Sequence, residues 1–265
     1  MTTQLLFYSQ AVPVNSKEHA DLSVKQGGDF AFTRQVNSVP LTAVELRPAV
    51  REHVVVFAGE GENVVPVAVL GTTAEQNLFV DDAGAWTGDY VPAFIRRYPF
   101  VFASSDDGKT FTLCIDDSFS GCNREGRGER LFDSDGNRTQ YLSTVLNFLQ
   151  EYQAQFNRTR AFCAQLNELG LLEPMQATFT RPDGERRNLT GFMAVNRAKL
   201  KDLDDATLAG MAKRDELELI YLHLHSLNNF NALLKRAGAT PAAAAKAEGD
   251  SEAPETTDDA APGLH

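Results

Sequence analysis

Two arginines lie side by side between two prolines in the run YVPAFIRRYPF at residues 90–100. A guanidinium presents a planar fork of donors that matches a carboxylate or phosphate, so Arg96 and Arg97 are candidates for an anion hook. Pro92 is tolerated at the first position of a helix, and Pro99 disfavours helical geometry at Tyr98. The stretch from Pro92 to Arg97 therefore reads as about one and a half helical turns. In that geometry Phe94 and Tyr98 share a face, whereas Arg96 and Arg97 point about 100° apart, so at most one of them serves a given pocket. The plainer reading, and the favoured one, is that the arginines end a short helix and pair with nearby acids such as Asp116 or Asp117. Trp86 and Tyr90, just upstream, could wall a ligand, although a lone tryptophan more often packs a core. The ligand-binding set is thus Trp86, Tyr90, Arg96, Arg97, Tyr98 and, from the last helix, His223.

His19-Ala20-Asp21 supplies two of the three ligands of a facial iron triad, with His53 or His223 as the third. Such a triplet normally follows several strands, and here only 18 residues precede it. The iron-oxygenase reading is accordingly the minor one. His223 and His225 lie two apart in a helical run and so face opposite sides. That rules out a metal pair and makes His223 a buried histidine bonded to the sheet, with a general base as the sharper alternative. Asp133-Ser134-Asp135-Gly136-Asn137 has its glycine two residues too early for an EF-hand and reads as a turn. Cys114, Cys122 and Cys163 form no CxxC pair, and no neighbouring base marks a reactive thiolate. P-loop, Rossmann and G-x-S-x-G motifs are missing from the sequence, and nothing in it calls for a cofactor.

The elements that would carry these residues fall into two halves. Short runs rich in valine and phenylalanine (53–57, 64–70, 77–80, 100–103 and 110–115) are separated by turn chemistry and predict an antiparallel or mixed sheet. Pro66 interrupts the second of them. Asp106-Asp107-Gly108 should tip a hairpin, and a polar loop spans 118–138. From Leu142 to Leu169 apolar residues recur every three or four positions, which predicts a long amphipathic helix capped by Thr139 and ended by Gly170. A second hairpin follows (175–180 and 188–195), then a short helix over 204–214. A last helix should run from Asp215 to about Arg236, opened by an Asp215/Glu218 capping box. The expected fold class is α+β, as one domain over 1–237. Residues 238–265 are rich in Ala, Pro and Thr and predict a disordered acidic tail.

The chain has 265 residues, a net charge of −11 and a pI near 4.9. The tail contributes six acids against one lysine. An acidic surface argues against nucleic acid as a partner. No stretch approaches the roughly 18 apolar residues of a membrane span. With no recognisable export signal at its start, the protein is expected in the cytoplasm.

Taken together, certain strings resemble the bacterial SapC family. The run NLFVDDAGAWTGDYVPAFIRRYPF (77–100) is the most specific. It is supported by Phe7-Tyr8, Pro13 and His19, by VPLTAVE (39–45) and GERLFDSDGN (128–137), and by LNELGLLEPM (166–175) and LIYLHLHSLNN (219–229). The similarity covers residues 4–236. Members of that family are linked with surface layers and often labelled peptide-transport permeases; the second label does not suit a chain without a spanning segment. Their coding neighbourhoods include outer-membrane receptors and flavin-dependent tryptophan halogenases. The resemblance thus implies a part in nutrient uptake or compound modification. Combined with the residues, it implies a cytosolic accessory protein that binds a protein partner or a small anionic ligand. An iron-dependent oxygenase and a surface-layer component are the alternatives.

Overall fold

A computed structural model describes residues 6–25, 27–104, 110–181 and 183–241. The strands are β1 (Ala11–Pro13), β2 (Ser23–Val24), β3 (Ser38–Pro40), β4 (Val54–Ala58), β5 (Val65–Val69), β6 (Phe100–Ser104), β7 (Phe111–Asp116), β8 (Cys122–Asn123), β9 (Glu129–Arg130), β10 (Leu172–Thr180), β11 (Arg186–Val195) and β12 (Thr240–Pro241). The α-helices are α1 (Leu46–Ala49), α2 (Ala93–Arg96), α3 (Gln140–Glu168), α4 (Arg197–Lys201), α5 (Asp205–Lys213), α6 (Glu216–Ser226) and α7 (Phe230–Arg236). The mixture of helices with antiparallel sheets is the α+β class.

The main sheet has the order β12-β10-β11-β4-β5-β3, antiparallel throughout. Its centre, β4 and β5, is buried along almost its whole length, which is why these segments read as continuous valine runs rather than alternating ones. Strand β5 continues through Pro66, whose carbonyl accepts from Leu41 N–H where β3 has ended. Between β4 and β11 the ladder is reduced to the Met193–Phe57 pair. The gap is filled from α6. Ser226 Oγ accepts from Val55 N–H (3.0 Å), and His223 bonds the Val55 carbonyl and the Val195 N–H.

A smaller sheet, β1-β7-β6, contains the expected hairpin, with Phe100 opposite Ile115 and Ser104 opposite Phe111. The Asp106-Asp107-Gly108 tip lies outside the described residues. One face of this sheet (Phe100, Phe102, Leu113, Ile115) packs against Leu142, Val145 and Leu149 of α3. The other (Val101, Cys114) packs against Tyr8 and Tyr98. Strand alternation divides the two sets. A third sheet, β8-β2-β9, pairs two strands of the expected 118–138 loop with Ser23–Val24. Asp133 Oδ1 there accepts from Asp135 N–H and Asn137 N–H, and Phe132 pairs with Arg138, so DSDGN is an Asx-type turn.

Helix α3 begins where Thr139 Oγ1 accepts from Leu142 N–H and ends at Gly170, φ +62°, with Leu171 N–H bonded back to the Leu166 carbonyl. Its 29 residues span about 44 Å at the usual rise.

Two expectations are corrected. Residues 77–80 are not a strand: Asn77 Oδ1 accepts from Phe79 N–H while its Nδ2 donates to Thr33, so local side-chain bonds replace a ladder, and only Val80 bridges to Trp86. The last helix is two helices. Asp215 is left-handed (φ 60°) and makes no cap, Glu218 turns to Arg47 Nη2 (2.6 Å), and residues 227–229 tighten to a 3₁₀ turn as Asn229 Nδ2 donates to the Val50 and His53 carbonyls. Just beyond Gly238, β12 pairs with Phe179–Thr180. The rest of the expected tail, 242–265, lies outside the described residues.

Candidate functional site

The proline-bounded corner is built on a buried carboxylate. Glu45 is 4% exposed and accepts four hydrogen bonds: Oε2 from Thr42 N–H and Thr42 Oγ1–H, Oε1 from Tyr90 O–H and Ala93 N–H (2.6–2.9 Å). This ties the first turn of α2 and the Tyr90 ring to the segment that follows β3. Pro92 takes the N-cap position with extended backbone, one place earlier than the sequence suggests. The two arginines diverge, as one helical step requires. Arg96 is exposed, donates Nε–H to the Val91 carbonyl (3.0 Å), and lies over the Tyr90 and Phe148 rings. Arg97 is buried, with its guanidinium 4.0 Å from the Phe94 centroid and within 6 Å of the Tyr8 and Tyr152 centroids. Ring faces attract a cation placed among them in this way. Asp116 is also buried, and its oxygens accept from Ser9 N–H, Ser118 N–H and Ser118 O–H.

The other sequence candidates are scattered. Trp86 is half-buried, stacked on Phe79 (5.6 Å, 20°) and edge-on to Phe30. Tyr98 is buried against Phe32 (4.2 Å) and Tyr8 (5.1 Å). Burial raises the hydroxyl pKa of both Tyr90 and Tyr98, with Glu45 and Asp116 respectively adding to it. His223 is fully buried; desolvation lowers its pKa to about 4, opposed by the bond to Val55. His53 is equally buried, bonds the Tyr90 carbonyl through Nε2 (3.1 Å), and is shifted down by desolvation. His19 is buried with Nδ1 at Asn15, whereas Asp21 is exposed and paired with Arg124. Among the described residues no three His, Cys, Asp or Glu side chains gather as a metal site. Tyr90 with Arg96, His53 with Tyr90 and Trp86, and Tyr98 with Arg97 around Tyr8 are brought together.

The structure adds a site the sequence did not mark. An open groove of about 940 Å³ runs between α3 and the β6–β7 hairpin. Phe102, Phe111 and Leu113 of the hairpin and Leu142 and Leu146 of α3 make it apolar at the base. Further along α3, Gln150, Gln153 and Asn157 continue the same stripe as uncharged polar groups. The Asx turn delivers Arg138 to the other end. Among the described residues, Arg138 is the only ionisable group in the lining. Its side chain makes no hydrogen bond or ion pair among them. In a chain of net charge −11, a concave surface whose described lining holds one unpaired cation and no carboxylate is distinctive. Phe111, 43% exposed at its edge, is one of the few large apolar side chains left in water. The one available sequence signal was the run of amides at 150, 153 and 157, in register with the apolar stripe.

Fold and groove together define an α+β protein with a preformed amphipathic cleft. The chain belongs to the SapC family, whose family model matches residues 14–233. No curated protein and no solved structure matches it. No helix among the described residues is long and apolar enough to cross a membrane.

Proposed function

We propose that the protein is an accessory binding protein that holds a small amphipathic anion, a carboxylate with an apolar tail, in the groove between α3 and the β6–β7 hairpin. The observation that carries this is the unpaired Arg138 in a described lining without acids. The tail would lie over Phe102, Leu113 and Leu142, and the carboxylate would take the guanidinium in its bidentate geometry. A volume of about 940 Å³ suits a small organic molecule. Arg96, exposed beside Tyr90, is the other cation open to such a ligand. A cytoplasmic setting is part of the reading: Cys114, Cys122 and Cys163 are all free thiols, and burial raises the pKa of each. Binding and release of an organic acid fits a part in compound uptake or modification.

Titration calorimetry with octanoate and 1-octanol tests this. Wild type should bind octanoate about 10-fold tighter than the alcohol, the scale of a charge-assisted hydrogen bond. Arg138→Gln should erase that preference, and Arg96→Ala should leave it intact. Equal affinity for the acid and the alcohol would overturn the anion reading, and loss of preference only in Arg96→Ala would move the site to the proline corner.

A further inference from the structure

Behind the sheet from the groove lies a smaller cavity with the opposite electrostatic character. It has about 350 Å³ and is lined by Phe7, Phe32, Tyr98 and Phe119, with Asp29 and the hydroxyls of Ser9, Ser118 and Ser120 at its polar side. Tyr98 packs on the Val101–Cys114 face of β1-β7-β6, whereas the groove uses the Phe102–Leu113 face, so the two sites are separated by the sheet.

We propose that this second cavity binds a small organic cation, an ammonium with a short substituent. Three observations converge on it. The first is the rings. Phe32 stacks on Tyr98 (4.2 Å), Phe7 meets Phe32 edge-on (5.0 Å), and Phe119 meets Tyr98 edge-on (5.2 Å), giving one continuous aromatic wall. Aromatic faces carry the negative end of the ring quadrupole and attract cations, quaternary ammonium above all. The second is charge. Asp29 is exposed and makes no ion pair among the described residues, and no described lysine or arginine lines the cavity. Asp29 Oδ1 is held by Ala31 N–H (2.9 Å), which fixes the carboxyl in place and leaves its other oxygen for a ligand. The third is the second acid behind the wall. Asp116, fully buried, receives Ser9 N–H and both donors of Ser118, so Ser118 turns its donors away from the cavity. With its proton committed to Asp116 (2.5 Å), the Ser118 oxygen can only accept from a guest. An aromatic wall, a carboxyl held by a backbone N–H and a hydroxyl left only as an acceptor all favour a positive guest. The site uses none of the groove residues and stands whether or not the groove binds an anion.

The test is calorimetry on the full chain with choline, with ethanolamine, and with 3,3-dimethyl-1-butanol, the neutral isostere of choline. Wild type should bind choline about 10-fold tighter than the isostere. Asp29→Asn, which keeps the oxygen that accepts from Ala31, should weaken choline by about 10-fold, while Arg138→Gln should leave it unchanged. Preference for ethanolamine over choline would still support a cation site, with the hydroxyl and carboxyl acceptors leading. Equal binding of choline and the isostere, an unaltered Asp29→Asn, or no binding of either amine at millimolar concentration would each overturn the proposal.

Discussion

Replacing Glu45 by alanine should cost the protein about 4 kcal/mol of stability, because it leaves buried donors without their shared acceptor. Four donors now converge on its two oxygens, from Thr42, Tyr90 and Ala93. Removing the carboxylate strands several of them out of water, at about 1–3 kcal/mol for each group left without a partner. Glutamine is the sharper probe. It keeps the volume but turns one acceptor into an NH₂ donor that must face either Thr42 or the Tyr90–Ala93 pair, so Glu45→Gln should lose about half as much. Urea denaturation reads both variants. Values within about 1 kcal/mol of wild type for both would mean that the carboxylate does not hold the corner together. The same measurement bears on Arg96 and Arg97, because the helix that aims them starts at Ala93, whose N–H is bonded to Glu45.

Acid should weaken the fold through His223. Its Nδ1 donates to the Val55 carbonyl (2.8 Å) and its Nε2 accepts from Val195 N–H (3.1 Å), a pairing that only the neutral ring can make. The native pKa is pushed down to about 4, against about 6.5 in the unfolded chain. A group depressed on folding contributes stability that is complete above the unfolded pKa and disappears as pH falls toward the folded one. The contribution should therefore be whole at pH 7 and fall by about 3 kcal/mol by pH 4, since each tenfold difference in proton affinity between the two states is about 1.4 kcal/mol. His53, shifted the same way by burial, adds to the trend. Carboxylates titrate over part of this window, so the measurement is a comparison. Urea midpoints of wild type and His223→Gln at about pH 7 and about pH 4.5 should show a markedly smaller acid loss in the variant. Parallel losses in the two proteins would contradict a neutral, strand-splicing His223.

Much of the fold could be read from the sequence wherever the signal was local. Helix α3 carried a 3.6-residue period over its whole length, Thr139 before it and Gly170 after it, and each did what its chemistry favours. The β6–β7 hairpin likewise showed in two apolar runs around a turn. The segment at 77–80 misled because its composition suits a strand, while Asn77 supplies stronger local partners. The break between α6 and α7 was hidden for a similar reason. Apolar periodicity continues across it, but Asn229 is drawn to carbonyls at residues 50 and 53, nearly 180 positions away in the chain.

The candidate sites were legible only in part. That Arg96 and Arg97 would diverge followed from helix geometry, and the structure has them in different surroundings, one exposed and one among rings. Glu45 was not singled out, since its four donors come from positions 42, 90 and 93 and no spacing rule joins them. The groove escaped for the same reason. Its walls come from a strand exit near residue 14, a hairpin at 102–113, a turn at 132–138 and one face of α3. Nothing in the sequence distinguishes Arg138 from the chain's other arginines; its freedom is decided by which acids the fold leaves out of reach.

Anion binding in that groove is tested most directly by a crystal structure of the protein grown with octanoate. Ligand density should lie between α3 and the β6–β7 hairpin, with the carboxylate within about 3 Å of the Arg138 guanidinium and the chain along Phe102, Leu113 and Leu142. Octanoate seated against Arg96 with the groove empty, or lying in the groove with its carboxylate turned away from Arg138, would contradict it.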